Sequence, residues 1–377
     1  MDMEEEEVQK DVIENKVEEG AISYICLSVL PTSNTPSSTY FYALNPNTEY
    51  NEYNYKVETL KPVAQFPSNE CIGFGTVSLN SKLYIIGGEI VDPNNPNENL
   101  PVKDVYVFDT DSPSTGWVKA ASMKSGKSFP KIVPLDGKIY VIGCSATHGY
   151  IEDAPKPWGE VYDPVKNSWS DLPKPPVEVL QDGWIDGYAV LEKEEKILIS
   201  MHDGGSFVYS VKNKSWTKVE SPGLSKKGAW SGRAAVVGDV MYSYYHGKVY
   251  GYDLSLDKWL EGPVMYLEDL VADVLLPDPP TSGYDSPSDY VPPKELKYLP
   301  PDAIPSGFVV NVGMGNLCLV WSSQCNEEGH RLVYCLMFKP TKFTREDGNS
   351  SLVTARVVVP IPNFKVGGEL FDDCFPV

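Results

Sequence analysis

Short apolar runs, entered from a polar residue and left through glycine or a polar turn, recur along the middle of this chain. Lys82-Leu-Tyr-Ile-Ile-Gly-Gly88 and Lys138-Ile-Tyr-Val-Ile-Gly-Cys144 are the clearest, and Lys196-Ile-Leu-Ile-Ser200 and Val240-Met-Tyr-Ser-Tyr244 are degenerate counterparts. Runs this short, rich in β-branched and aromatic residues, predict strands. Glycine at the exit predicts a sharp turn through positive φ, where a Cβ would clash. Downstream of each run an aromatic residue precedes aspartate or serine, and a tryptophan follows. Phe108-Asp109 leads to Trp117, Tyr162-Asp163 to Trp169, Tyr209-Ser210 to Trp216 and Tyr252-Asp253 to Trp259. These tryptophans lie 52, 47 and 43 residues apart.

That spacing brackets the kelch period, and the predicted architecture is all-β, a six-bladed kelch-type β-propeller. The tryptophans are expected to fill the space between neighbouring blades. Two flanking blades complete the count. Residues Ile22 to Leu30, Tyr40 to Leu44 and Tyr55 to Leu60 read as three strands of a first blade, and Gly307 to Trp321, Leu332 to Phe338 and Leu352 to Pro360 as a last. A closed ring leaves no exposed sheet edge, so Phe364 to Phe375 is predicted to return as the innermost strand of blade one.

Composition narrows the partners. Across 377 residues, 42% hydrophobic with 23 Tyr and 8 Trp, there is material for a large core. Fifty-two acidic against 32 basic side chains leave a formal charge of -20, which repels phosphate backbones and anionic lipid, so neither nucleic acid nor membrane is expected as a partner. Residues 1–20, with the run Glu4 to Glu7, read as a disordered acidic tail before a propeller spanning 21–377, and as neither signal peptide nor anchor. Seven cysteines, Cys26, Cys71, Cys144, Cys318, Cys325, Cys335 and Cys374, lack CxxC spacing, against a disulfide framework or zinc site. A monomer without metal or cofactor, in the cytoplasm or nucleus, is expected.

From Ala21 to the C-terminus, Ser81-Lys-Leu-Tyr-Ile-Ile-Gly-Gly88, Ala121-Ser-Met123, Asp136-Gly-Lys-Ile-Tyr-Val-Ile-Gly143, Glu160-Val-Tyr-Asp-Pro164 and Val320-Trp321 resemble the plant F-box/kelch-repeat proteins. The resemblance implies a kelch propeller used as a binding scaffold and derived from a ubiquitin-ligase substrate adaptor. Two departures stand out. Only the acidic stretch Met1 to Ala21 precedes Ile22 where the family has its F-box helices, and Lys127 stands where family repeats carry arginine, a residue kept as Arg233 in the fifth blade.

In such a blade the loops joining strands two and three share a face with the loops running between blades, and rigid sheets hold both while leaving their sequence free. The first kind comprises 89–103, 145–159, 201–205 and 244–248; the second comprises 122–129, 176–187, 223–232 and 265–307. Ligand-contact candidates on this face are Glu89, His148, Trp158, Trp184, Asp203, Trp230, Arg233 and Tyr244, because aromatic rings with carboxylates suit stacking and cation-π attraction. The proline-rich acidic insertion 266–306 is expected to lie over the same face as a flap. No phosphate loop or serine elbow is present, and neither the paired histidines of galactose oxidase nor the full iron set of the nitrile-specifier proteins is reproduced, with Glu152, Asp153 and His148 only partly similar to the latter. The leading expectation is a recognition module for a protein partner or small molecule. The alternative is a cofactor-free plant enzyme of specialised metabolism, with His202, His246, Asp182 or Asp186 as acid or base. A third reading is an F-box-less decoy competing with intact relatives.

Overall fold

A computed structural model describes residues 24–30, 38–45, 58–67, 71–143, 157–245, 247–266, 307–322, 330–344, 351–367 and 370–376. The acidic stretch 1–20, His148, Glu152, Asp153, His246 and 267–306 with its tyrosines lie outside them. The described chain is nearly all β.

Each repeat is an up-and-down meander. The second sheet orders Gly75–Ser78, Lys82–Ile86, Val105–Asp109 and Trp117–Lys119 side by side. The third is built likewise from Lys131–Leu135, Lys138–Ile142, Gly159–Asp163 and Ser168–Asp171. Two further meanders, Ile185–Leu191 through Ser215–Val219 and Gly232–Val237 through Lys258–Trp259, join into one sheet because Gly187–Ala189 pairs in parallel with Gly232–Ala234. The last runs Gly307–Gly313, Asn316–Ser322, His330–Thr344 and Ser351–Gly367. A two-stranded ribbon, Glu89–Asp92 with Asn95–Pro101, rises from the second sheet.

The recurring aromatic, acid and tryptophan each have a task. Aspartate caps the tight turn between the third and fourth strands: Asp163 Oδ1 accepts from the N–H groups of Val165 and Lys166 at 3.1 Å, Asp253 Oδ1 from Ser255 and Leu256, and Ser210 Oγ serves Asn213 in the same way. Tryptophan crosses to the preceding sheet. The indole N–H groups of Trp117, Trp169, Trp216 and Trp259 donate to the carbonyls of Gln65, Ala121, Pro173 and Gly223 at 2.7–3.0 Å. The exit glycines Gly87 and Gly143 adopt φ of 70° and 73°.

Buried cores alternate with the sheets. Phe41, Phe66, Leu83 and Phe108 join the first to the second, and Ile86, Met123, Ile132 and Ile139 the second to the third. Ile142, Leu172, Ile185 and Phe207 lie between the third and fourth, Leu198, Trp230 and Tyr252 between the fourth and fifth, and Val249, Leu319 and Phe338 between the fifth and last. A final core, with Ile25, Leu27, Val310 and Val320, packs the last sheet on the first. Gly187 permits one of these junctions: a Cβ there would lie 2.5 Å from the Trp230 ring. Gly187→Ala is expected to cost about 1–3 kcal/mol, read as a lowered urea midpoint, because the ring must shift within a packed core.

Two chain-end expectations are corrected. In the first sheet the strand beside Ser38–Leu44 is Ala64–Pro67, not the 55–60 segment; Phe66 is needed there against Phe74, Tyr106 and Trp117, while Glu58–Thr59 pairs in parallel with Phe364–Lys365 of the last sheet. The C-terminal chain does return, but as Leu370–Pro376 pairing antiparallel with Ile25–Leu30. Phe364 still belongs to the preceding strand, opposite Val333.

The first strands Gly75–Ser78, Lys131–Leu135, Ile185–Leu191, Gly232–Val237 and Gly307–Gly313, with Leu370–Pro376, neighbour one another in that order, and the last again touches the first. Residues from all six line one cavity of about 1010 Å³.

The long hairpin of the last sheet reaches back to the fifth. Lys342 Nζ lies 2.5 Å from Asp239 and 2.8 Å from the buried Asp253. The Lys342 hydrogen bond holds the Asp239 carboxyl below its ordinary 3.8, so this carboxylate stabilises the fold above that value and the contribution is lost as pH falls through the lowered one. Urea midpoints of the parent and a Lys342→Met variant are expected to differ at neutral pH and to draw together as pH falls through the lowered Asp239 value.

Candidate functional site

The best-formed constellation on the loop face starts at a helix C-terminus. Helix α1, Val177–Asp182, stops at Gly183, whose left-handed φ of 69° carries an N–H back to the Val179 carbonyl and turns the chain into Trp184. The following segment is clamped. Asp182 Oδ2 accepts the Asp203 N–H at 2.8 Å, and the His202 N–H donates to the Trp184 carbonyl at 3.0 Å. His202 Nδ1 lies 3.1 Å from Asp186 Oδ1, and Lys227 Nζ 3.0 Å from Asp203 Oδ1. Burial raises the Asp182 carboxyl above its ordinary value and the Asp203 charge adds to this, while the N–H groups of Asp203 and Trp184 oppose it.

On this clamped backbone Trp184 is 42% exposed, and so is Phe129 of the neighbouring sheet, its ring centroid 6.4 Å away. Lys131 Nζ sits 6.0 Å from the centre of the indole. Phe129 holds φ at 48°, unusual for a bulky residue, with its N–H on the Gly73 carbonyl and its ring on Gly73 itself, where a Cβ would come within 2.7 Å. Ile72, 48% exposed, extends the apolar strip onto the second sheet and is bridged to Glu89. Val91 and Leu100 on the ribbon are exposed as well.

The structure thus brings together Trp184, Asp182, Asp186, His202 and Asp203 from the sequence-predicted set, and adds Phe129, whose only sequence signal was its place at the end of the 122–129 connection, with Lys131 and Ile72, which carried none. The other candidates are placed differently. Glu89 is buried, 5% exposed; Oε1 accepts from Asn99 Nδ2 at 2.8 Å and Oε2 has no hydrogen-bond partner. Nearby, burial pushes the Cys71 thiol up to about 11. Trp158 and Trp230 are buried, the first edge-on to Trp216 and the second over Gly187, so their rings belong to the cores between sheets and not to an open bowl. Arg233 lies beside the central cavity, its guanidinium over the Tyr188 ring and its Nε–H donating to the Tyr188 hydroxyl at 3.1 Å. Tyr244 packs on Gly307, and burial lifts its hydroxyl to about 12. His148 and His246 lie outside the described residues. No group of three or more His, Cys, Asp or Glu among the described residues is arranged to hold a metal, and no helix there is long and apolar enough to cross a membrane.

Turn-capping acids and tryptophans that stitch each sheet to the one before define a kelch-repeat protein. Residues 40–275 match the FKB95 Kelch-repeats domain, and the chain belongs to that family. Among Arabidopsis thaliana proteins, one F-box/kelch-repeat protein is 27% identical over 194 residues, 51% of this chain and 44% of its own. Another is 26% identical over 241 residues, 63% of this chain and 56% of its own. A third, provisionally named as an F-box/kelch-repeat protein, is 32% identical over 149 residues, 40% of this chain and 34% of its own. The chain therefore spans about half or less of the length of these relatives. It also resembles a solved structure, "Structure of YjhT", at 11% identity and TM-score 0.47 over 90% of this chain and 98% of that one, a likeness too loose to argue from.

Proposed function

We propose that this chain is a protein-recognition module: a six-bladed kelch propeller, closed by its C-terminal strand, that grips a partner protein on the loop face built around Trp184 and Phe129. Support for the ring comes from the cyclic neighbourhood of its first strands and from the core between the last sheet and the first. The observation carrying the function is the strip Ile72, Phe129 and Trp184, apolar side chains left open on three neighbouring sheets above rigid supports. Exposed aromatics on a fixed scaffold are characteristic of interface anchors. The F-box/kelch-repeat names of the relatives agree with such a recognition role. Acid-base catalysis draws less support, since His202 is 54% exposed in its side chain and the Asp182 carboxylate is taken up by backbone N–H groups.

Immobilised full-length chain and a Trp184→Ala, Phe129→Ala double variant, matched for melting temperature, are compared for proteins retained from a plant extract. The double variant is expected to lose at least about tenfold of each specific partner, as removal of two anchors predicts. An unchanged captured set would rule the loop face out as the binding surface.

A further inference from the structure

Resting on the loop-face reading above, we propose that Trp184 seats a cationic side chain, arginine or lysine, projected by the partner protein. The ring already accepts an ammonium, because Lys131 of the third sheet stands 6.0 Å from its centre while Trp184 as a residue is 42% exposed. A cation over an indole is held by the ring quadrupole. Two elements carry carboxylates close to Trp184 in the chain or in its hydrogen-bond network: Asp182 and Asp186 flank it in sequence, and the Asp203 N–H donates to Asp182. Their counter-charges within the cluster are Lys131, Lys227 and, when protonated, His202.

Farther along the strip, at Ile72, the Glu89 carboxylate is a further negative group. Its Oε2 is buried and lacks any hydrogen-bond partner, an arrangement that costs free energy until a donor reaches it. The whole chain carries -20, so its long-range field draws in basic segments and repels acidic ones. The rigid backbone around Trp184, clamped by Gly183 and His202, presents the ring with little ordering cost at binding. Of the two cations, arginine fits better, since a planar guanidinium can stack on the indole while its edge N–H groups point at a carboxylate.

The test uses the folded chain labelled with fluorotryptophan, the Trp184 fluorine resonance being assigned by its loss in Trp184→Phe. The probes are Ac-Gly-Arg-Gly-NH2, its neutral citrulline analogue and Ac-Gly-Glu-Gly-NH2. The arginine peptide is expected to shift the Trp184 resonance saturably, and the citrulline and glutamate peptides to bind at least about fivefold more weakly. Asp186→Asn should weaken the arginine peptide about threefold, and Lys131→Ala, which removes the resident cation, should strengthen it by a similar factor. Raising salt from about 0.1 to 0.5 M should weaken it severalfold. Equal shifts from arginine and citrulline peptides, or none from either, would overturn the seat. If the peptides fail while the Trp184, Phe129 double variant still loses its partners, the loop face stands and only the cation seat falls. If the arginine peptide binds and capture is unaffected, the site takes cations but does not dock the partner, and the inference is again overturned.

Discussion

Lys127→Met is expected to lower the unfolding free energy by about 3–5 kcal/mol in urea titrations, more than any single surface change in this chain. The Lys127 and Glu160 side chains are both fully buried, with Nζ 2.6 Å from Oε1. Lys127 also donates to the carbonyls of Ser125 and Pro157, and Glu160 accepts the N–H groups of Lys124 and Ser125. The pair therefore fixes the connection between the second and third sheets from inside. Removing the ammonium strands a carboxylate out of water, and a lone buried charge costs far more than the net value of the pair. Glu160→Gln should be costly for the converse reason, because it leaves the ammonium without its counter-charge. The double variant Lys127→Met, Glu160→Leu is expected to lose less than the sum of the single effects, since no charge remains buried, though the Lys124 and Ser125 N–H groups are orphaned. Single variants within about 1 kcal/mol of the parent would show that water reaches the pair and that it does not brace the connection.

Trp117→Ala is expected to cost about 3–5 kcal/mol as well, with Trp117→Phe retaining most of that and losing only about 1–2 kcal/mol. The Trp117 ring meets Phe41, Phe66 and Phe108 at centroid distances of 5.4, 5.2 and 5.3 Å, and its N–H reaches the Gln65 carbonyl at 2.9 Å. Those partners come from the first and second sheets, so alanine would open a hole where the two meet. Because Leu370–Pro376 completes the first sheet, loosening this junction should also raise hydrogen exchange of the C-terminal strand. Unfolding curves of the alanine and phenylalanine variants that coincide would mean that packing contributes little and that the single hydrogen bond carries the effect.

The repeat could be read from the chain because each of its residues acts locally. Asp109, Asp163 and Asp253 satisfy turns within two or three residues of themselves, and Lys82-Leu-Tyr-Ile-Ile forms a strand wherever it is buried. Ser210 kept the turn in the fourth sheet with a hydroxyl in place of a carboxylate, so the degenerate repeat still folded as its neighbours do. The short chain ends were less legible. Nothing local distinguishes Ala64–Pro67 from the 55–60 segment as the outer strand of the first sheet, since the choice depends on Phe66 meeting Trp117, about fifty residues away.

The loop face divides along the same line. Sequence alone identified Trp184, Asp182, Asp186, His202 and Asp203 as residues of adjoining connections, because strand periodicity already fixes which loops share a side. It could not separate Trp184 from Trp158 and Trp230, three tryptophans on comparable loops, of which only the first stays open to solvent. Burial of an indole is decided by what a neighbouring sheet lays against it, Gly187 under Trp230 and Trp216 beside Trp158, and those contacts join residues tens of positions apart. Phe129 and Lys131 came to Trp184 by the same route, through packing of one sheet on the next. Strand, turn and repeat were therefore determined by the sequence itself, whereas the membership of the site was decided by tertiary packing, because exposure and cross-sheet distance are properties of the assembled fold.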